Sequence, residues 1–293
     1  MNVLEVPVFQ QPWREYTYEY VKNVSQDFLE AGYRLEYYED PVSKDFANSG
    51  CFYAFVNGKK VLFDQSEYYD NQSWRCDEGE MKANYSRYDY STDTPIFKRM
   101  ITKWAEYPEN VYPLGPFCQP TPKMLAFNST NKYRPNNYKK LVHTNRVYGN
   151  ARYTRKIAFS KLNLPKSIEI DSSRSTVEEY YNRIIHSFGC LNITGASTYT
   201  QDSSSIEIML LGGVVISNSF DILMPFNKAI NGNEHYIMIS EDYSDINERI
   251  VWAFENQKEA YEIAKNGYNL MMETTAPLKR VKWFEEVIEE YYT

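Results

Sequence analysis

The sequence predicts an α/β fold in two domains, the second of them doubly wound. Three observations carry this reading. At 293 residues the chain exceeds one ordinary core and suits two. Short β-branched runs alternate along it with stretches whose apolar residues recur at helical spacing. An interval poor in periodic apolar positions, residues 113–137, holds Pro113, Pro116, Pro120, Pro122 and Pro135 and reads as a linker. The expected division is residues 1–125 and 126–276, followed by a terminal segment, 277–293.

In order, Asn2–Phe9 is a first strand. Pro12 introduces a helix whose Trp13, Tyr16, Tyr20, Val24 and Phe28 keep helical spacing until Gly32. Tyr33–Glu39 is a second strand. Phe52–Val56 and Lys59–Phe63 flank Asn57-Gly58, a hairpin signal. Thr94-Pro95 opens a helix containing Phe97, Met100, Ile101 and Trp104. Beyond the linker come strands at Lys156–Phe159, Ser167–Ile170 and Cys190–Ile193, with a helix at Val177–His186. A helix at Ser204–Gly213 then turns into the strand Val214–Ile216. Asp245-x-x-Glu248 and Asn256-x-x-Glu259 each cap a helix, the latter ending at Gly267. Pro277–Tyr292 is an amphipathic helix.

Composition narrows the function classes. Hydrophobic content of 43% and charge of 24% describe a soluble globular chain. No apolar stretch approaches the ~20 residues that span a bilayer, and the start lacks a signal peptide's pattern. Cys51, Cys76, Cys118 and Cys190 show no metal or redox spacing, so reduced thiols and a cytoplasmic location are expected. The net charge of −7 argues against nucleic acid as a partner. Residues 110–168 nevertheless carry 11 Lys/Arg and no Asp or Glu, which suggests a local anion site or a solvated basic face.

The sequence contains no Gly-x-Gly-x-x-Gly, P-loop, Gly-x-Ser-x-Gly or His-Glu-x-x-His motif. It also lacks Asp-x-Asp; Glu169-Ile-Asp171 is the nearest approach, so nothing calls for a metal or another cofactor. The most informative stretch is 204–217, Ser-Ser-Ile-Glu-Ile-Met-Leu-Leu-Gly-Gly-Val-Val-Ile-Ser. It describes a buried helix that turns at glycine into a buried strand, with Glu207 near the helix start. A carboxylate there can accept both hydroxyls of a ribose while the helix N-terminus faces a diphosphate. Ser204-x-x-Glu207 also fits a plain capping box. Upstream, Arg152, Arg155, Lys156 and Lys161 surround an expected strand, and arginine forks match phosphate oxygens.

Glu207-Ile-Met209-Leu-Leu-Gly212-Gly213-Val214-Val215 resembles the donor-site helix of GT-B sugar-nucleotide glycosyltransferases, whose signature is roughly Glu-x-Met-x-x-Gly-x-x-Val-Val. Asp221-Ile-Leu-Met-Pro225-Phe226, His235-Tyr236 and Asp242-Tyr-Ser-Asp245 extend the likeness to exostosin-like (family 47) and CAP10-like (family 90) enzymes over roughly residues 140–270. Thr144-Asn145-Arg146 through Arg152 loosely resembles a segment of fucosyltransferase-like enzymes. The resemblance implies two Rossmann-like domains facing a cleft, an N-terminal acceptor domain and a C-terminal donor domain. It also implies that helix 277–293 crosses back onto the first domain. The donor would be a nucleotide-diphosphate sugar, with UDP-sugars favoured, and the acceptor a carbohydrate hydroxyl. Small size and Tyr/Asn-rich composition resemble capsid-glycan glycosyltransferases of large algal viruses, one activity of which is xylose transfer from UDP-xylose; the location would then be the host cytoplasm.

The donor contacts so implied are Arg152, Arg155, Lys161, Ser204, Ser205, Glu207 and His235. Tyr199 and Thr200 stand where the family pattern has an earlier Glu, which favours inversion of the anomeric centre. Inversion needs a general base from the acceptor domain. Asp64, ending the Val61–Phe63 strand, is the first candidate, with Glu67, Asp70, His143 and His235 as rivals. A sugar-nucleotide epimerase of the same fold and a non-enzymatic glycan-binding protein are the alternatives, and oligomeric state is left open.

Overall fold

Five parallel strands with helices on both faces make the centre of the C-terminal part, and a six-stranded mixed sheet makes the centre of the N-terminal part. A computed structural model describes residues 1–8, 15–39, 51–64, 73–76, 79–82, 93–99, 101–102, 107–115, 123–126, 138–143, 152–173, 176–193, 203–220 and 222–293. The protein is a mixed α/β protein with parallel sheets.

The first sheet begins with β1 (Val3–Pro7), α1 (Glu15–Glu30) and β2 (Arg34–Tyr38). The β1 and β2 strands are parallel, as a helical crossover requires. β3 (Cys51–Val56) and β4 (Lys59–Asp64) form a hairpin in which Asn57 and Gly58 have φ of 51° and 79°. Two left-handed residues make the turn whose twist matches the strands, which is why Asn-Gly marks it. A separate ribbon pairs β5 (Ser73–Cys76) with β6 (Gly79–Lys82). β7 (Ile96–Lys98) and β9 (Val111–Pro113) complete the sheet in the order β2-β1-β3-β4-β7-β9.

β7 and β8 (Ile101–Thr102) correct the helix expected after Thr94-Pro95. Ile96 and Phe97 pair with Leu62 and Phe63 in parallel and are buried on opposite faces of the sheet. An apolar run so short carries no period that separates strand from helix.

The second sheet collects β10 (Lys140–His143), β11 (Glu169–Asp171), β12 (Gly189–Leu191), β13 (Val215–Ser217) and β16 (Ile237–Met238). Its order is β11-β10-β12-β13-β16, all parallel. Renumbered within this sheet the order is 2-1-3-4-5, so the winding reverses between β10 and β12. β12 and β13 are buried throughout, as strands covered on both faces must be. One face packs α3 (Val177–Ile185), α4 (Ser203–Leu210) and the end of α6 (Gln257–Thr274). The other packs α2 (Arg152–Ser160), α5 (Ile246–Glu255) and the start of α6.

Residues 156–159, read as a strand, are the second half of α2, with Arg155 and Ala158 buried on one side of it. The expected caps also move. Neither Asp245 nor Asn256 makes a side-chain cap; Asp245 accepts from the Ser240 amide at 2.7 Å, and Asn256 Nδ2 donates to the Trp252 carbonyl at 2.8 Å. Helix α6 passes through Gly267 rather than ending there. A Cβ at Gly267 would lie 2.5 Å from the His235 carbonyl oxygen, so the glycine allows a close crossing.

α7 (Pro277–Tyr292) packs on α1 and the first sheet, and its Val281, Phe284, Val287 and Ile288 share one core with Leu4, Phe28, Phe52, Phe63 and Phe97. Arg280 and Asp27, both 1% exposed, form an ion pair between α7 and α1. The two sheets are also joined by a ribbon in which β14 (Ile222–Met224) pairs with β8 on one side and β15 (Lys228–Ala229) on the other. At its tip Phe226 and Asn227 have φ of 65° and 55°, and the Phe226 ring lies 5.9 Å from that of Trp283 on α7.

Candidate functional site at the carboxyl edge of the parallel sheet

In open parallel sheets the crevice for a ligand forms outside the carboxyl ends of the strands, where the winding reverses. Here that place is the end of β10 and β12, and the chain fills it with polar residues immediately after apolar strands. Gly189 leaves room for the Ile216 side chain, since a Cβ there would meet Ile216 Cδ1 at 2.8 Å. Beyond Leu191, the Asn192 amide still donates to the Ile216 carbonyl at 2.9 Å. The Asn192 side chain donates to Ser205 Oγ at 2.6 Å, and both residues are buried. The bond fixes the first turn of α4 against the end of β12.

Helix α4 is apolar on nearly every side, with Ile206, Ile208, Met209 and Leu210 buried. Of its polar residues, Ser205 is buried against Asn192, while Ser204 and Glu207 are half-buried and three residues apart, and so on one partly open face. The helix ends in a Schellman arrangement: the Gly213 amide reaches the Ile208 carbonyl and the Gly212 amide the Met209 carbonyl, each at 2.8 Å. Gly212 has φ of 73°. Glycine was therefore needed at this turn, and it delivers the chain directly into β13.

Arg155 sits in the first half of α2 and is buried; its Nε donates to the Ile193 carbonyl at 3.1 Å. Arginine thus ties α2 to the segment leaving β12. Arg152 opens α2. Its side chain lies outside the described residues, as do Arg146, Glu67, Asp70, Tyr199 and Thr200. Lys161, just past α2, donates through Nζ to the Asp242 carbonyl in the loop after β16. Ser244 holds the Asp242 carboxyl down to about 2 by hydrogen bonding. Nearby, Glu241 accepts from the Ser219 amide at 2.9 Å and from Asn218 at 3.4 Å, linking the loops after β13 and β16.

Two residues from the sequence reading lie elsewhere. His235 precedes β16, at the amino edge of the sheet, and its Nδ1 accepts from the Asn231 amide at 3.0 Å. Asp64 closes β4 in the other sheet, with its carboxylate 2.7 Å from Lys98 Nζ and no exposed surface on either side chain. A base must reach the acceptor hydroxyl; in this structure the Asp64 carboxylate faces Lys98.

Asn192 and Ser217 also lie at this candidate site, and the sequence reading did not single them out. Ser217 ends β13, is fully buried, and its Oγ has no hydrogen-bond partner among the described residues. The signal was present in the abrupt Val-Val-Ile-Ser ending, a hydroxyl placed directly on a buried strand. Among the described residues no three His, Cys, Asp or Glu side chains converge as metal ligands, and no helix is long and apolar enough to cross a membrane.

The chain's similarity to known proteins is slight. No family model matches it. Over 84 residues it is 29% identical to protein O-glucosyltransferase 3 of Homo sapiens. That is a weak similarity to a glycosyltransferase. It covers 29% of this chain and 17% of the relative's length, so the chain matches only a fraction of that protein. A crystal structure of a glycosyltransferase from Rickettsia africae ESF-5 overlaps 68% of this chain and 57% of its own, at 12% identity and a TM-score of 0.37. That overlap is too loose to bear on the fold.

Proposed function

We propose that the chain transfers a sugar from a nucleotide-diphosphate donor to a carbohydrate hydroxyl, and that the donor lies at the carboxyl edge of the second sheet. The observation that carries this is the placement of α4: its first turn is pinned to the end of β12 beside the point where the winding reverses, with Ser204 and Glu207 on its partly open face. Glu207 accepts the ribose hydroxyls, and the helix N-terminus with Ser204 and Ser205 faces the diphosphate. Arg155 positions the segment after β12 and adds positive charge beside the leaving group. The similarity to protein O-glucosyltransferase 3 supports glycosyl transfer as the reaction class. In this reading the two sheets are the two halves of a GT-B arrangement, the first facing the acceptor. UDP is the favoured nucleotide, and transfer proceeds with inversion and without a metal.

Thermal melting against UDP, GDP, CMP and a panel of UDP- and GDP-sugars, with and without Mn²⁺, tests the reading. A ligand at 100 times its dissociation constant stabilises the native state by ~2.7 kcal/mol. A selective, metal-independent shift with one nucleotide sugar is expected; no shift with any of them refutes the proposal. Glu207→Ala should weaken donor binding by ~2–3 kcal/mol, the scale of hydrogen bonds to a charged group. Unchanged donor affinity in a folded variant would remove Glu207 from the site.

A further inference from the structure

We infer that the Ser217 hydroxyl is a hydrogen-bonding contact for a hydroxyl group of the transferred sugar, a claim that rests on the donor reading above. Ser217 is the last residue of β13, the strand between β12 and β16. Along β13, Val215 packs on the face of α3 and α4 and Ile216 on the opposite face. Alternation returns Ser217 to the α4 face. The parallel register sets it beside Asn192, whose side chain holds Ser205 on α4. A buried hydroxyl without a partner carries a desolvation cost that alanine at the same position avoids. The sequence nevertheless keeps serine at the end of an otherwise apolar strand, next to the first turn of a helix already argued to hold the donor.

The surroundings select the kind of ligand group. Among the described residues, the polar groups near the end of β13 include the carboxamides of Asn192 and Asn218, the Ser205 hydroxyl and the Glu241 carboxylate. Neutral hydrogen-bonding groups with one carboxylate suit a polyhydroxyl ring better than a phosphate, which Arg155 and the helix N-terminus serve on the β12 side. Ser217 therefore reads the sugar rather than the nucleotide.

The experiment compares wild-type chain with Ser217→Ala by calorimetric titration of the nucleotide sugar selected in the thermal screen and of the matching bare nucleotide diphosphate. Unliganded thermal stability of both proteins is measured alongside. The expected result is a loss of about 10-fold in affinity for the nucleotide sugar, little change for the bare diphosphate, and an unliganded melting temperature no lower than wild type. Equal affinities of the two proteins for the nucleotide sugar overturn the inference while leaving the donor reading intact. An equal loss for both ligands also overturns it, because Ser217 would then act on the nucleotide. A markedly lower unliganded melting temperature overturns it too, since the hydroxyl would then serve the fold. Should the wild-type chain bind no nucleotide sugar, the donor reading and this inference fall together. Ser217→Cys, close in size but a weak hydrogen-bonding group, should show the same split to a smaller degree.

Discussion

Asp64 and Lys98 stand opposite each other at the ends of β4 and β7, on the face of the first sheet that carries Leu62 and Ile96. Both side chains are fully buried, so each makes the other's charge tolerable there. Removing one partner leaves the other without its counter-charge, which costs about 3–5 kcal/mol in comparable settings. Asp64→Asn should therefore lower urea-unfolding stability by that order, and Asp64→Leu combined with Lys98→Met should recover much of the loss. The same pair of variants separates two meanings of Asp64. If turnover falls only as far as folded protein is lost, the residue holds the sheet; if turnover vanishes in fully folded double variant, the carboxylate serves the reaction. At this scale the sequence disclosed some of the candidate site and hid the rest. Glu207 and the glycine turn after it were readable because each depends on local geometry. Ser217 left only the hint of a hydroxyl closing an apolar run, and Asn192 none, because their burial arises from strand register. His235 lies at the other end of its strand from α4, and a sequence does not say which edge of a sheet a residue will occupy.

Elements with strong local signals formed where the residues ask for them. The Asn57-Gly58 hairpin and the helix Pro277–Tyr292 follow from turn chemistry and from proline at a helix start. Elements defined by three or four apolar residues divided: Cys190–Ile193 and Val214–Ile216 correspond to β12 and β13, whereas 156–159 became helix and 96–98 became strand, since tertiary pairing decides such runs. Capping shows the same limit. The Asp245 and Asn256 patterns spend their side chains elsewhere, whereas Thr176 and Glu179 build the reciprocal box at the start of α3. There Thr176 Oγ1 accepts from the Glu179 amide at 3.3 Å, and Glu179 accepts from the Thr176 amide at 2.8 Å. Those hydrogen bonds from Thr176 hold the Glu179 carboxyl below its usual range. Thr176→Ala should cost about 1 kcal/mol of stability, measured from the shift of the urea midpoint. A neutral result would show that α3 is set by its packing on β12 and α4 alone.

At the scale of the whole molecule, the tie between α1 and α7 responds to pH. Burial pushes the Asp27 carboxyl up to about 6, with Arg280 pulling only part of the way back. Between an unfolded value near 3.8 and the folded value near 6, the native chain holds a proton that the unfolded chain releases. This contribution to stability is full below the lower value and is lost as pH rises through the upper one. Compared with Asp27→Asn, wild-type protein should gain stability as pH falls from 7 to 4.5, followed by urea unfolding at each pH. Parallel pH profiles for the two proteins would show that Asp27 keeps an ordinary carboxyl despite its burial.

The packing of α7 also has a bearing on how the chain is made. Residues 281–288 complete an apolar core whose other members come from residues 4–114. Synthesis runs from the N-terminus at ~5–20 residues per second, and domains usually close as they emerge. The five-stranded sheet can gather its own strands and helices in that order. The six-stranded sheet cannot, because an apolar face stays uncovered until residue 288 has left the ribosome. During that interval Phe52, Phe63 and Phe97 lack Phe284 as a packing partner. Of the two sheets, the one synthesised earlier is the one whose core closes later.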